Sequence, residues 1–108
     1  MKDTKEARQW VEALRSGKYA QGHRVLRDGD AYCCLGVAVE VCGVKWKKRL
    51  GRWGVPGEDS MMFEFDLPAA LSERLGMTRE EQSRLVTLND TGSSFSEIAD
   101  TIESWLDA

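Results

Sequence analysis

Three cysteines fall within one apolar run, YCCLGVAVEVCG, from Tyr32 to Gly43, and thiols are the groups in this chain best suited to covalent or metal chemistry. A thiolate at a helix N-terminus is stabilised by the helix dipole and by free backbone N–H groups. Cys34, or Cys33 just before it, therefore has the position of an activated nucleophile. The single histidine, His23, with Asn89 or Asp90 as an orienting group, would complete a Cys-His-Asn constellation. The spacing does not bring the imidazole to a sulfur, and burial in apolar surroundings raises a thiol pKa rather than lowering it. The cysteines read as small buried hydrophobes, with no catalytic residue assigned. On a helix Cys34 and Cys42 would lie about 12 Å apart along the axis, and one histidine with this cysteine spacing matches no zinc motif. No metal and no cofactor is expected. GVPGED lacks the Lys-Ser/Thr of a phosphate loop, and DGD lacks the spacing of a calcium loop.

Charge supplies the second candidate. KWKKRLGR, from Lys45 to Arg52, carries five basic residues and no acid, which leaves ten basic against eighteen acidic residues elsewhere, a net −8 within a total of −3. The molecule is electrically lopsided. Trp46, Lys47, Lys48, Arg49, Arg52 and Trp53 combine aromatic rings with cations, the composition of a protein-interface anchor. The same set would also suit stacked bases beside phosphates, a non-specific nucleic-acid reading marked by steep salt dependence. The bland alternative folds both tryptophans inward and leaves the lysines to solvate a loop.

The elements that must position these groups follow from periodicity. Ala7, Trp10, Val11 and Leu14 at helical spacing, with Gly17 beyond, predict a first helix from about Thr4 to Ser16. Asp28-Gly29 predicts a two-residue β-hairpin turn, with Arg27 facing Asp30, Leu26 facing Ala31 and Val25 facing Tyr32. The cysteine run reads as a helix from about Cys34 to Cys42, apolar nearly all round and hence central. Its narrow gap is Gly36 and Glu40, four apart on one strip. With Cys34 and nearby Tyr32, these form the alternative site for a small ligand, nucleotide-like, or a small-enzyme reaction. Val44 to Asp66 predicts an irregular hairpin or long loop. Three helices then close the chain: one from Leu67-Pro68 to Leu75, one from a Thr78/Glu81 capping box to about Leu88, and one from a Ser94/Glu97 box to Leu106. EIA within SFSEIADTIES has a helix-turn-helix flavour. No recognition helix follows, however, and Glu97, Asp100, Glu103 and Asp107 would repel phosphate.

The expected fold class is α+β, mainly α: a single globular domain over residues 1–108 with about five helices, a small hairpin at Asp28-Gly29 and the irregular middle. At 42% hydrophobic and 31% charged, with no apolar run near 20 residues, the composition suits a soluble protein without membrane contact. The charged start, MKDTKEARQWVEAL, lacks a secretory signal's apolar segment, and the unpaired cysteine count fits a reducing cytoplasm.

In order along the chain, ALRSGKYAQG, LRDGDAYCCLGVAVEV and LNDTGSSFSEIADTIE carry the motifs YCCLGV and LND-x-G-x-SF-x-EIA. With these the chain resembles a group of small proteins of unknown function frequent in tailed bacteriophages and prophages, over most of its length apart from about Lys45 to Asp66. The resemblance implies a context and no mechanism: a bacterial host cytoplasm, and a role in binding and modulating a host or defence macromolecule. Lys45 to Trp53 is the surface expected to make that contact.

Overall fold

The computed structural model describes residues 1–58 and 61–107. Helix α1 (Lys5–Arg15) begins where the Thr4 side chain accepts a hydrogen bond from the Ala7 N–H. It ends before Gly17, whose φ of 74° is the left-handed conformation glycine adopts without a steric penalty. Ala7, Trp10, Val11 and Leu14 form its buried stripe, and the Trp10 indole N–H donates to the Cys34 carbonyl at 2.9 Å.

Strands β1 (Ala20–Gln21), β2 (Arg27–Asp28) and β3 (Ala31–Tyr32) make a small sheet in the order β1-β3-β2. The β2–β3 hairpin exists, but its turn sits one residue later than the sequence expectation, which shifts the pairing by two residues: Arg27 faces Tyr32 and Asp28 faces Ala31. The turn residues are Gly29 and Asp30, with φ positive only at Gly29, the glycine-first pattern of a type II′ turn. Burial decides between the registers. The observed one sets Leu26 opposite Cys33, both buried, with the Cys33 N–H donating to the Leu26 carbonyl. The expected one would have set Leu26 against the less buried Ala31. Strand β1 pairs parallel to β3, a contact with no local sequence signal.

Helix α2 (Cys34–Val41) occupies the centre of the molecule, and Cys34 through Val39 are all buried. Its end is followed by Gly43 at φ 69°.

The middle segment is more regular than the sequence suggests. Strands β4 (Lys47–Arg49), β5 (Arg52–Pro56) and β6 (Met62–Phe63) form an antiparallel sheet in the order β4-β5-β6. Asp59 and Ser60, within the segment expected to be irregular, lie outside the described residues, as does Ala108.

Helices α3 (Ala69–Arg74), α4 (Arg79–Asp90) and α5 (Phe95–Leu106) follow, and both expected capping boxes are formed. Pro68 is the residue before α3 rather than its first helical residue, at ψ 152°. On α5, Phe95, Ile98, Ala99, Ile102 and Leu106 are buried. Arg8 reaches Asp107 while Arg15 reaches Asp100 and Glu103, so α1 and α5 run antiparallel. The result, among the described residues, is one α+β domain of five helices and two small sheets around a core shared by α1, α2, α4 and α5. Among the described residues no helix is long and apolar enough to cross a membrane.

Candidate functional site

The basic residues lie on a defined hairpin. Lys47 faces Gly54, Lys48 faces Trp53 and Arg49 faces Arg52, so the connecting turn is Leu50-Gly51. Both turn residues have positive φ, 52° and 78°, as a type I′ turn requires. For leucine that conformation costs about 1–2 kcal/mol. Leu50 is also 90% exposed, and packing does not offset the strain. Arg24, the other non-glycine residue at positive φ, differs: its backbone N–H donates to the Asp90 carboxylate at 2.9 Å.

Strand alternation divides the hairpin into two faces. Lys48, Trp53 and the buried Val55 share the face toward β2. There the Arg27 guanidinium lies 3.8 Å from the Trp53 ring centroid, 5.4 Å from Tyr32 and 5.5 Å from Trp46, and the Lys48 ammonium stands 5.2 Å from Trp53. Tyr32 continues the cluster edge-on to Tyr19 at 5.6 Å. Trp46 is half-buried, and its indole N–H donates to Glu40 Oε2 at 2.8 Å. Both tryptophan rings are therefore engaged within the protein.

Lys47, Arg49 and Arg52 share the other face, with Arg49 and Arg52 directly opposed. Like charges so placed destabilise a strand pair. Arg52 is partly compensated by Glu64, at 3.0 Å. Lys47, Lys48 and Arg49 make no ion pair among the described residues. Five of the six partner-site candidates thus lie on the strands of one hairpin, with Trp46 immediately before it, and the exposed cations and Leu50 are the groups presented outward.

The second candidate site is a packed seam. Cys34 is fully buried with its sulfur 3.7 Å from the Leu85 carbonyl, and burial pushes its thiol well above the usual range. Burial also pushes up the thiols of Cys33 and Cys42. Gly36 lies so close to the β2 segment that a Cβ there would overlap the Leu26 carbonyl oxygen. Glu40 is taken up by Trp46, and burial raises the Tyr32 hydroxyl pKa. Tyr32, Gly36 and Glu40 meet where the hairpins pack on α2, whereas Cys34 points to α4.

Of the groups considered for thiol catalysis, His23 is exposed, while Asn89 meets the backbone of Cys34 rather than its sulfur. Asn89 is the only buried polar residue among those described. Its Oδ1 accepts from the Cys34 N–H at 3.1 Å and from Gln21 Nε2 at 3.0 Å, and its Nδ2 donates to the Gly22 carbonyl at 2.9 Å. One amide joins β1, the start of α2 and α4. Among the described residues no group of three or more His, Cys, Asp or Glu side chains is placed to hold a metal.

Sequence reasoning missed Arg27, which joins the two hairpins. Its position beside the Asp28-Gly29 turn was visible, but its nearest ring, Trp53, lies on a separate sheet and Trp46 just before that sheet's first strand. It also missed a cavity of about 710 Å³ walled by Phe63, Phe65, Leu67 and Val86, with Gln82 and Arg79, which contains no candidate residue from either site.

A family model described as a domain of unknown function (DUF8296) matches residues 1–67, the stretch that runs from α1 through β6 and includes the basic hairpin. No curated protein and no solved structure matches the chain.

Proposed function

The chain belongs to the DUF8296 family, a domain of unknown function, and we propose that it is an interaction protein whose β4–β5 hairpin binds an acidic surface of a macromolecular partner. In the setting that its motifs imply, a bacterium carrying a tailed phage or prophage, the partner is a host or defence protein, and binding modulates it. The observation that carries this reading is the group of cations Lys47, Lys48 and Arg49, without an ion pair among the described residues, on an ordered hairpin of a molecule whose charge outside Lys45 to Arg52 is −8. Such a field steers an acidic partner and orients it on encounter.

The engaged tryptophans favour a protein partner over single-stranded nucleic acid. Arg27 and Lys48 stand over Trp53, and Trp46 is tied to Glu40, so neither ring is a ready platform for a base. A small ligand at Tyr32, Cys34, Gly36 and Glu40 would first have to separate packed groups.

The test is a tagged pull-down from host-cell lysate at moderate salt, run beside a Lys47→Glu/Lys48→Glu/Arg49→Glu variant of verified fold. A stoichiometric protein partner captured by the parent and lost by the variant is the expected result. Equal capture by both sinks the assignment of this surface. Captured nucleic acid, released steeply with salt, would replace the protein reading with a phosphate-binding one.

A further inference from the structure

We infer that Leu50 is the anchor of this surface and that the partner element it takes is an amphipathic acidic peptide segment, one that sets an apolar side chain among carboxylates. This rests on the reading of the hairpin as the binding surface and specifies what that surface recognises.

Three local rules are broken within four residues, and the fold compensates only one of them. A branched-chain residue holds a left-handed conformation for which asparagine or glycine is better suited. A large apolar side chain is 90% exposed at a turn tip. Two arginines face each other across the strand pair beside it, eased on one side alone by Glu64. Arg24 shows what an internally justified positive φ looks like here, with its N–H bound to Asp90. At Leu50 the tight turn demands the conformation, but nothing there favours a large apolar side chain over asparagine or glycine. Strain and misplaced polarity concentrated at one exposed point mark a contact site rather than a folding device.

The flanking charge identifies the occupant. Lys48, Arg49 and Arg52 stand within two residues of Leu50 along the chain. An apolar segment without acids would leave them facing uncharged surface, and a purely acidic segment would leave Leu50 in water. A segment carrying both satisfies both, with the leucine buried at the centre and the charges at the rim. The type I′ turn presents the side chain on a short, fixed connection, so little ordering is needed when it docks.

The experiment uses two synthetic peptides of equal length and charge: one in which glutamates alternate with leucines and serines on an amphipathic pattern, and one in which every leucine is replaced by serine. Binding of each is measured by fluorescence anisotropy to the parent, to Leu50→Asn and to the Lys47/Lys48/Arg49 charge-reversed variant. The leucine-bearing peptide is expected to bind the parent roughly 10-fold or more tightly than its serine counterpart, the scale of burying one leucine side chain. Leu50→Asn is expected to erase that preference while raising the melting temperature, because asparagine tolerates the left-handed turn. The paired measurement separates lost contact from lost fold.

Equal affinity of the two peptides for the parent would overturn the inference, as would an unchanged preference in Leu50→Asn. If charge reversal abolishes binding of both peptides while Leu50→Asn changes nothing, the basic surface stands and the anchor falls. If charge reversal changes neither affinity, the basic surface falls with it. Failure of the parent to bind either peptide overturns the acidic-peptide assignment, and concentration-dependent self-association lost in Leu50→Asn would put a second copy of the chain in its place.

Discussion

Replacing Asn89 by alanine removes the one buried polar side chain among the described residues and strands three partners. The Cys34 N–H loses its acceptor in a buried position, a cost of about 1–3 kcal/mol. Gln21 Nε2 keeps its 2.8 Å bond to the Ser93 carbonyl, so its loss is smaller, about 0.5–1.5 kcal/mol. The Gly22 carbonyl loses the Nδ2 donor at a comparable cost of about 0.5–1.5 kcal/mol. Together these come to about 4 kcal/mol, a large part of the roughly 5–15 kcal/mol that stabilises a small domain. In urea, with a slope of about 2 kcal/mol per molar, the midpoint should fall by about 2 M with the slope unchanged. Asn89→Asp makes a second comparison. Its carboxylate still accepts from Cys34 but repels the Gly22 carbonyl, and its charge is buried. That variant should recover stability as pH falls and the carboxyl becomes a donor. A loss below about 1 kcal/mol in Asn89→Ala would refute this account of how β1, α2 and α4 are joined.

Gly36→Ala should destabilise the fold by at least about 2 kcal/mol, since the overlapped neighbour is backbone and cannot rotate away; an unchanged melting temperature would contradict the close packing of α2 on the hairpin. The cysteines supply a pH test. Their folded-state pKa values are raised by burial, so above about pH 8.5 the unfolded chain ionises first and binds fewer protons than the folded one. Stability present below that pH should decline above it, by up to about 1.4 kcal/mol per pH unit for each thiol, until the folded-state values are passed. Denaturation midpoints from pH 7 to 10, compared with a Cys34→Ala variant, measure this, and a flat profile would count against thiol burial. Aromatic disulfide reagents should label Cys34 only after unfolding, and rapid labelling of the native protein at pH 8 would mean the sulfur is open to solvent.

Much of this architecture was legible because the signals are local. The stripe Ala7, Trp10, Val11, Leu14 and the two capping boxes are complete within one helix each, and the structure places them as the spacing predicts. The Asp28-Gly29 dipeptide announced a hairpin but placed its turn one residue early and hence its pairing two residues off, because the burial of Leu26 and Cys33 outweighed the turn preference. The middle sheet was obscured by Gly51, Gly54, Pro56 and Gly57, which read as loop punctuation, whereas Gly51 serves a type I′ turn and Gly54 is crowded by Met62. At the site, the basic run was plain as composition. That Trp53 would be occupied by Arg27 depends on the docking of two separate hairpins, and no periodicity within either one encodes it.

The pairing of α1 with α5 bears on the order in which the chain can fold. Arg15 and Glu103 are 88 positions apart, and the stripe of Trp10, Val11 and Leu14 packs in a core to which Ile98, Ala99 and Ile102 also belong. During synthesis α1 can pack on α2 early but must wait for α5 to cover the rest of its apolar face, and the two hairpins can form earlier because their turns are short. The stretch matched by the family model, residues 1–67, contains the hairpins but neither α4, which supplies Asn89, nor α5. Expressed alone, that stretch would leave the central helix without its cover on one side and the Cys34 N–H without its acceptor.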